Sequence, residues 1–436
     1  MAGAIVAVAL AFAAAPASSA ETATPDDTAH FLAGLPPAAD SPLGALTKSP
    51  AWQQHANRFD TLFAREEKNQ LSKIRAFSDA HLTEKHDVLL YLFSGPDFLY
   101  ATTFFPKAST YVLAGLEPVG PIPQLTSLGR PAVDHALRNM EVSLNSLLTF
   151  SFFITHKMKT ELNSGAVYGT LPILYVFLAR TGKTIHEVSL VSLDADGNLQ
   201  SPDQLAGETN ADGPREHAKR PPPSAAKGVK IVFSDGDRPN QTLYYFSTNL
   251  ADASVDRSGF LTFCDKLGTG DDSFIKSASY LMHGGGFTKV RRFILDHSAT
   301  VVEDDSGIPL AYFDPKKWRL QPYGRYVGPL AMFGHREQPQ MAQLFHKAGA
   351  TPLDFSFGYR WKNKESNLLI AERTAPVTAE GESTASSPPS DRDGPGAQPG
   401  GKRENSAAAA RARRKRAENS HKGCRHWGFF SVCSAN

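Results

Sequence analysis

Two short apolar runs, at residues 88–93 and 111–116, flank a turn and a short helical stretch, and this order fixes much of what can follow. The first run, Val-Leu-Leu-Tyr-Leu-Phe, does not alternate polar with apolar residues. A strand built from it must be covered on both faces. Ser94-Gly95-Pro96-Asp97 stops the run, residues 98–105 suit a short helix, and Pro106 closes it. Glu117-Pro118 ends the second run. Strand, turn, helix and strand in so short a span point to neighbouring, parallel strands.

The remaining pattern extends this unit to an α/β body with a mixed, partly parallel sheet flanked by helices. Trp52, His55, Phe59, Leu62, Phe63, Leu71, Ile74 and Phe77 fall mostly at three- and four-residue spacing, so residues 52–80 read as helical. A stripe from Val133 through Leu137, Met140, Leu144, Leu147, Ile154 and Met158 to Leu162 predicts a long helix over 133–162. The apolar segment 171–179 ends at Arg180-Thr181-Gly182, a helix stop. Strands are expected at 188–193, 229–233, 243–246 and 300–302, and helices at 287–297 and 338–348. Asp271 or Asp272 is positioned to cap a helix over 273–282. Residues 359–371 read as a terminal hairpin turning near Asn363. No internal repeat of fixed period is present.

The two ends differ from this body. Residues 4–15 are an apolar run, Pro16 breaks it, and Ser18-Ser19-Ala20 supplies the small residues that a signal peptidase reads. Residues 1–20 are therefore expected to be a secretory signal, although no Lys or Arg precedes the run, and the protein is expected to be exported, periplasmic or secreted. Residues 21–50, rich in Ala, Pro, Thr and Ser, read as a loosely ordered leader with a short helix near Thr28 to Leu32. The single body then covers 51–373, with a flexible, polar insertion at about 194–228 that contains Pro221-Pro222-Pro223. From 374 to 436 large apolar residues nearly vanish until Trp427, the composition of a disordered basic tail.

Charge and cysteine usage narrow the partners. Between Lys402 and Arg425 there are nine Lys or Arg and two Glu, a net of +7. The whole chain is +2, so the rest carries −5, and no nucleic acid is expected to bind the body. The basic run at 411–416 reads as a solvated tail before it reads as a polyanion contact. Cys264 is the one cysteine of the body, which therefore has no internal disulfide; Cys424 and Cys433 can close a small loop with each other. Cys424 and His426 alone are too few for a metal site. No transmembrane segment is expected after signal removal: the Leu- and Phe-rich stretch 142–154 is short and interrupted by Asn145, Ser146, Thr149 and Ser151.

Six residues are candidates for ligand binding. Asp97 and Glu117 each follow an apolar run, and in open α/β sheets ligands sit beyond the carboxyl ends of strands. One Gly in the turn is too few for a phosphate cradle, and the simpler reading is that these acids cap backbone amides. Asp304 and Asp305, in Glu303-Asp304-Asp305-Ser306-Gly307, follow another strand without calcium-loop spacing, and a solvated turn is the plainer reading. Tyr323 and Arg325, in Tyr323-Gly324-Arg325-Tyr326, combine an aromatic ring with a cation that could clamp a carboxylate or phosphate. A strand with packed tyrosines is the plainer reading. His283-Gly284-Gly285-Gly286 matches an oxyanion loop, but the chain has no Gly-x-Ser-x-Gly elbow. No metal site is expected, and the cofactor stays unknown.

The stretches 92–106 (LFSGPDFLYATTFFP), 111–120 (YVLAGLEPVG), 171–182 (LPILYVFLARTG), 277–283 (SASYLMH) and 304–309 (DDSGIP) resemble a family of exported bacterial proteins with no described activity. The likeness covers about residues 50–372 and implies no role for any residue. Two functions stay open: binding of a small molecule or envelope component in a cleft at strand ends, or envelope hydrolase or transferase chemistry using the strand-end carboxylates. Convergence of the candidate acids and Arg325 in one pocket would separate them.

Overall fold

The computed structural model describes residues 22–84, 86–150, 167–201, 226–362 and 364–375, and the backbone of two strands at 424–427 and 430–433. Along the chain come helices α1 (Pro25–Leu32), α2 (Pro50–Glu66) and α3 (Ser72–His81), then β1 (Val88–Tyr91), α4 (Phe98–Phe104) and β2 (Thr110–Gly115). Next are α5 (Arg130–Phe150), α6 (Leu171–Arg180), β3 (Lys183–Leu193), β4 (Leu199–Gln200), β5 (Lys227–Asp235) and β6 (Arg238–Ser247). The short helices α7 (Asp252–Val255) and α8 (Phe260–Asp265) precede β7 (Asp271–Ile275), α9 (Thr288–His297) and β8 (Ser298–Glu303). The body ends with β9 (Trp318–Gly324), α10 (Pro339–Ala348) and β10 (Asn367–Arg373). A separate antiparallel pair, β11 (Cys424–Trp427) and β12 (Phe430–Cys433), sets Cys424 opposite Cys433 in register.

Ten strands form one sheet in the order β4-β3-β5-β6-β2-β1-β7-β8-β10-β9. The middle five, β6-β2-β1-β7-β8, are parallel, and the strands at both ends are antiparallel. The fold is thus a mixed, partly parallel sheet flanked by helices. β1 lies at its centre and is buried along its whole length, which explains its uninterrupted apolar sequence. Alternate residues serve opposite faces. Leu89, Tyr91, Tyr111, Leu113 and Phe274 pack with α1 to α6, whereas Leu90, Val112, Ala114 and Ile275 pack with α7, α8 and α9.

The α2–α3 helical segment contains a π turn at Glu67–Leu71. Within it the Gln70 side-chain amide accepts the Ser356 backbone N–H and donates to the Ser356 hydroxyl. Asp252 caps α9 from outside, accepting the Thr288 and Lys289 amides at 3.0 and 2.9 Å. This tethers the segment after the triple glycine, whose Gly286 carbonyl accepts the Asp252 amide.

Three expectations need correction. Residues 271–275 are strand β7, and no helix spans 273–282. Asp271–Ile275 is buried throughout and pairs with β1 and β8 on its two sides, so tertiary pairing overrides the local pattern. Asp272 caps nothing; it bonds the His86 ring at 2.7 Å. Residues 359–371 are not a self-contained hairpin. β10 pairs with β8 and β9, strands far away in the sequence, and Asn363 lies outside the described residues. The leader is ordered from α1 onward: Ala29, Phe31 and Leu32 are fully buried, Thr24 accepts the Asp27 amide, and Asp26 accepts the Ile185 amide of β3.

The expected helix over 133–162 is present as α5 to residue 150, and its remainder lies outside the described residues. Residues 1–21, most of the expected insertion and most of the expected tail do so too. No described helix is long and apolar enough to cross a membrane.

Candidate functional site

At the carboxyl ends of β1, β2, β6 and β7 the sheet opens into a cleft of about 160 Å³. The volume is close to the ~150 Å³ cavity that admits a benzene ring. Its polar lining includes Ser94, Asp97, Glu117, Asn249, Lys276 and Ser277. Leu116, Leu281, Phe93 and Phe287 line it as well. Leu116 is 51% and Leu281 37% exposed, while Asp97, Glu117 and Lys276 are each at most 2% exposed. The cleft therefore has a charged interior and an apolar lip.

One wall is built on Asp97. It follows the turn after β1 and caps α4, accepting the Tyr100 amide at 3.2 Å. Its other oxygen accepts the Tyr91 hydroxyl at 2.9 Å and lies 2.8 Å from the Lys276 ammonium. Lys276 follows β7 directly and stands 3.4 Å over the Tyr100 ring. Burial lowers its pKa from the ordinary lysine range, against the opposing pull of Asp97. Burial, reinforced by Asp97, raises the Tyr91 pKa, so its hydroxyl stays a donor. Behind them the Tyr100 hydroxyl donates to Glu66 at 3.3 Å, and burial pushes the Glu66 carboxyl up to about 7.

The opposite wall carries Glu117, just beyond β2. The Tyr245 hydroxyl donates to the Glu117 backbone carbonyl at 2.8 Å and reaches its carboxylate at 3.5 Å. Gly115 makes room: a Cβ there would collide with the Glu117 carboxylate and lie 2.9 Å from the Gly95 Cα. The same device serves two other buried acids. A Cβ on Gly307 would meet the Glu303 carboxylate, and one on Gly358 would meet that of Asp304.

The third side is the loop after β7. Ser277, Ser279 and Tyr280 all have φ near +55°, a left-handed conformation uncommon outside glycine. Asp304, Asp305, Ser306 and Tyr359 hold it. Asp304 accepts the Ser277 amide at 3.2 Å, and the Ser306 hydroxyl accepts the Ala278 amide at 2.8 Å. The Tyr280 hydroxyl donates to Asp305 at 2.6 Å, and the Tyr359 hydroxyl to the Ser277 carbonyl at 2.7 Å. Strain of this kind persists only where surrounding bonds over-determine it. Among the described residues the buried Ser277 hydroxyl has no hydrogen-bond partner. Burial and the adjacent Asp305 raise the Asp304 pKa, while the Ser306 and Ser277 donors oppose them.

The six sequence candidates thus separate. Asp97 and Glu117 line the cleft. Asp304 and Asp305 lie behind its wall and shape it. Tyr323 is at the far edge of the sheet on β9, bonding Gln321 and the His81 ring at 3.0 and 3.2 Å. Arg325 is exposed just past β9, its backbone amide bonded to Ser366. The cation beside Asp97 is Lys276, which sequence reasoning placed inside an expected helix. Its one signal was its place directly after Phe274-Ile275. His283 lies beside the loop and not at an oxyanion site; burial and then Arg336 lower its pKa to about 4. Among the described residues no group of three His, Cys, Asp or Glu is placed to hold a metal ion.

Compared with known proteins, the chain matches no family model, no curated protein and no solved structure.

Proposed function

We propose that the protein is an exported binding protein that takes a small molecule or envelope component into the strand-end cleft. The observation carrying this reading is the cleft wall at Ser277–Tyr280. Three residues in a costly backbone conformation, pinned by buried acids and a tyrosine, preform a pocket before any ligand arrives. Hydrolase or transferase chemistry has less support. Asp97 is committed to Lys276, Tyr91 and an amide, and Asp304 and Asp305 are committed to the loop, which leaves no free nucleophile–base pair among them.

The reading is tested on the mature protein, with an intact mass expected to begin near Glu21, by thermal-shift screening against nucleotides, metals and cell-wall fragments. A binder should raise the Tm of the wild type but not of Thr248→Trp, which fills the cleft from a lining position. A ligand that stabilises both proteins equally would place binding elsewhere.

A further inference from the structure

Glu117 and Asp97 are both buried carboxylates on one cleft, yet only Asp97 has a cation. Among the described residues no Lys, Arg or His nitrogen lies within 4 Å of the Glu117 carboxylate, and the hydrogen bond it receives comes from the Tyr245 hydroxyl at 3.5 Å. A carboxylate 2% exposed is costly to hold with no cation beside it and one long hydrogen bond. The charges on the cleft lining are Asp97, Glu117 and Lys276, and one internal pair leaves a net of −1 on Glu117. We propose that the ligand supplies the missing cation: it carries an ammonium group that pairs with Glu117. This rests on the binding reading above and names the ligand's chemistry.

The rest of the cleft sets the body of that ligand. Phe93 and Phe287, with ring centroids 6.1 Å apart, stand with Leu116 and Leu281 on the lip. An apolar frame attached to the ammonium covers these side chains while the charged end reaches inward. The cleft volume restricts the buried part to about one six-membered ring. The ligand class is therefore a small amphipathic amine. A carboxylate ligand fits poorly, because Lys276 is already satisfied by Asp97 at 2.8 Å.

Three probes of similar shape test this by isothermal titration at pH 7: cyclohexylammonium, cyclohexanol and cyclohexanecarboxylate. Cyclohexylammonium should bind the wild type at least about tenfold more tightly than the alcohol, the carboxylate should bind weakest, and Glu117→Gln should abolish the amine's advantage. Glu117→Gln is nearly isosteric, and an unchanged thermal melt confirms that it folds. If the alcohol binds as well as the amine, or Glu117→Gln keeps the amine's preference, the ammonium assignment is overturned while the cleft remains a binding site. If none of the three binds the wild type or competes with a ligand found by screening, the binding reading falls with it.

Discussion

On the β1 side of the cleft Asp97 is enclosed by an ammonium, a hydroxyl and a helix-capping amide. On the β2 side Glu117 has one distant hydroxyl and a space kept open by Gly115. The first wall completes its electrostatics internally and belongs to the fold. The second leaves a charge facing the space where a ligand would sit. Two acids of equal burial, a strand apart, thus separate a stability role from a binding role, and burial alone does not tell them apart.

The sharpest way to break this contrast is to remove the internal cation. Lys276→Met should cost about 3–5 kcal/mol, because it strands a buried carboxylate. The double variant Asp97→Asn/Lys276→Met should recover part of that loss. Urea unfolding of both variants measures it, and a single variant as stable as the wild type would mean that the pair contributes nothing.

A second effect tests the ionisation behind the Asp97 wall. The Glu66 carboxyl is raised from 4.5 to about 7 by burial, so the folded state holds its proton more tightly than the unfolded chain. Its contribution is full below about pH 4.5 and lost by about pH 7, amounting to about 3 kcal/mol. Glu66→Gln should abolish that part of the pH dependence. The test is the stability difference between wild type and variant at pH 4.5 and pH 7.5; a difference that does not change with pH contradicts the assignment. The lowered His283 acts in the opposite direction, but it is common to both proteins and cancels.

The smallest effect belongs to the Glu117 wall. Gly115→Ala should cost about 1–3 kcal/mol by overpacking and push the Glu117 carboxylate aside. Combined with Glu117→Ala the penalty should shrink, since part of the obstruction has gone. Equal penalties in both backgrounds would show that Gly95 and Tyr245, not Glu117, require the glycine.

Much of the cleft's β1–β2 side was legible in the sequence. Uninterrupted apolar runs signal strands covered on both faces, and Asp97 and Glu117 follow two such runs. β7 was not legible: it offers only Phe274 and Ile275 among polar neighbours, and it is a strand because β1 and β8 flank it. Lys276 was lost with it. Tyr323 and Arg325 sit away from the cleft for a different reason. Their local chemistry suits a ligand, but strand order is a long-range property, and it sends β9 to the opposite edge. The helix at 28–32 was legible but its burial was not, because Phe31 and Leu32 are two large apolar residues in an Ala- and Pro-rich context and are covered by α6 and β3.

The glycines facing Glu117, Glu303 and Asp304 constrain the order in which this protein can change over time. An acid can shorten or disappear first, leaving a small void and a still-folded chain. Its glycine cannot gain a side chain first, because the new Cβ would collide with the carboxylate already there. The Glu303–Gly307 pair therefore has a one-way mutational path, in which descendants that have abandoned the acid gain room to fill the glycine. Gly115, which also faces the Gly95 Cα, and Gly358, whose φ is +68°, stay constrained even after their acids are lost.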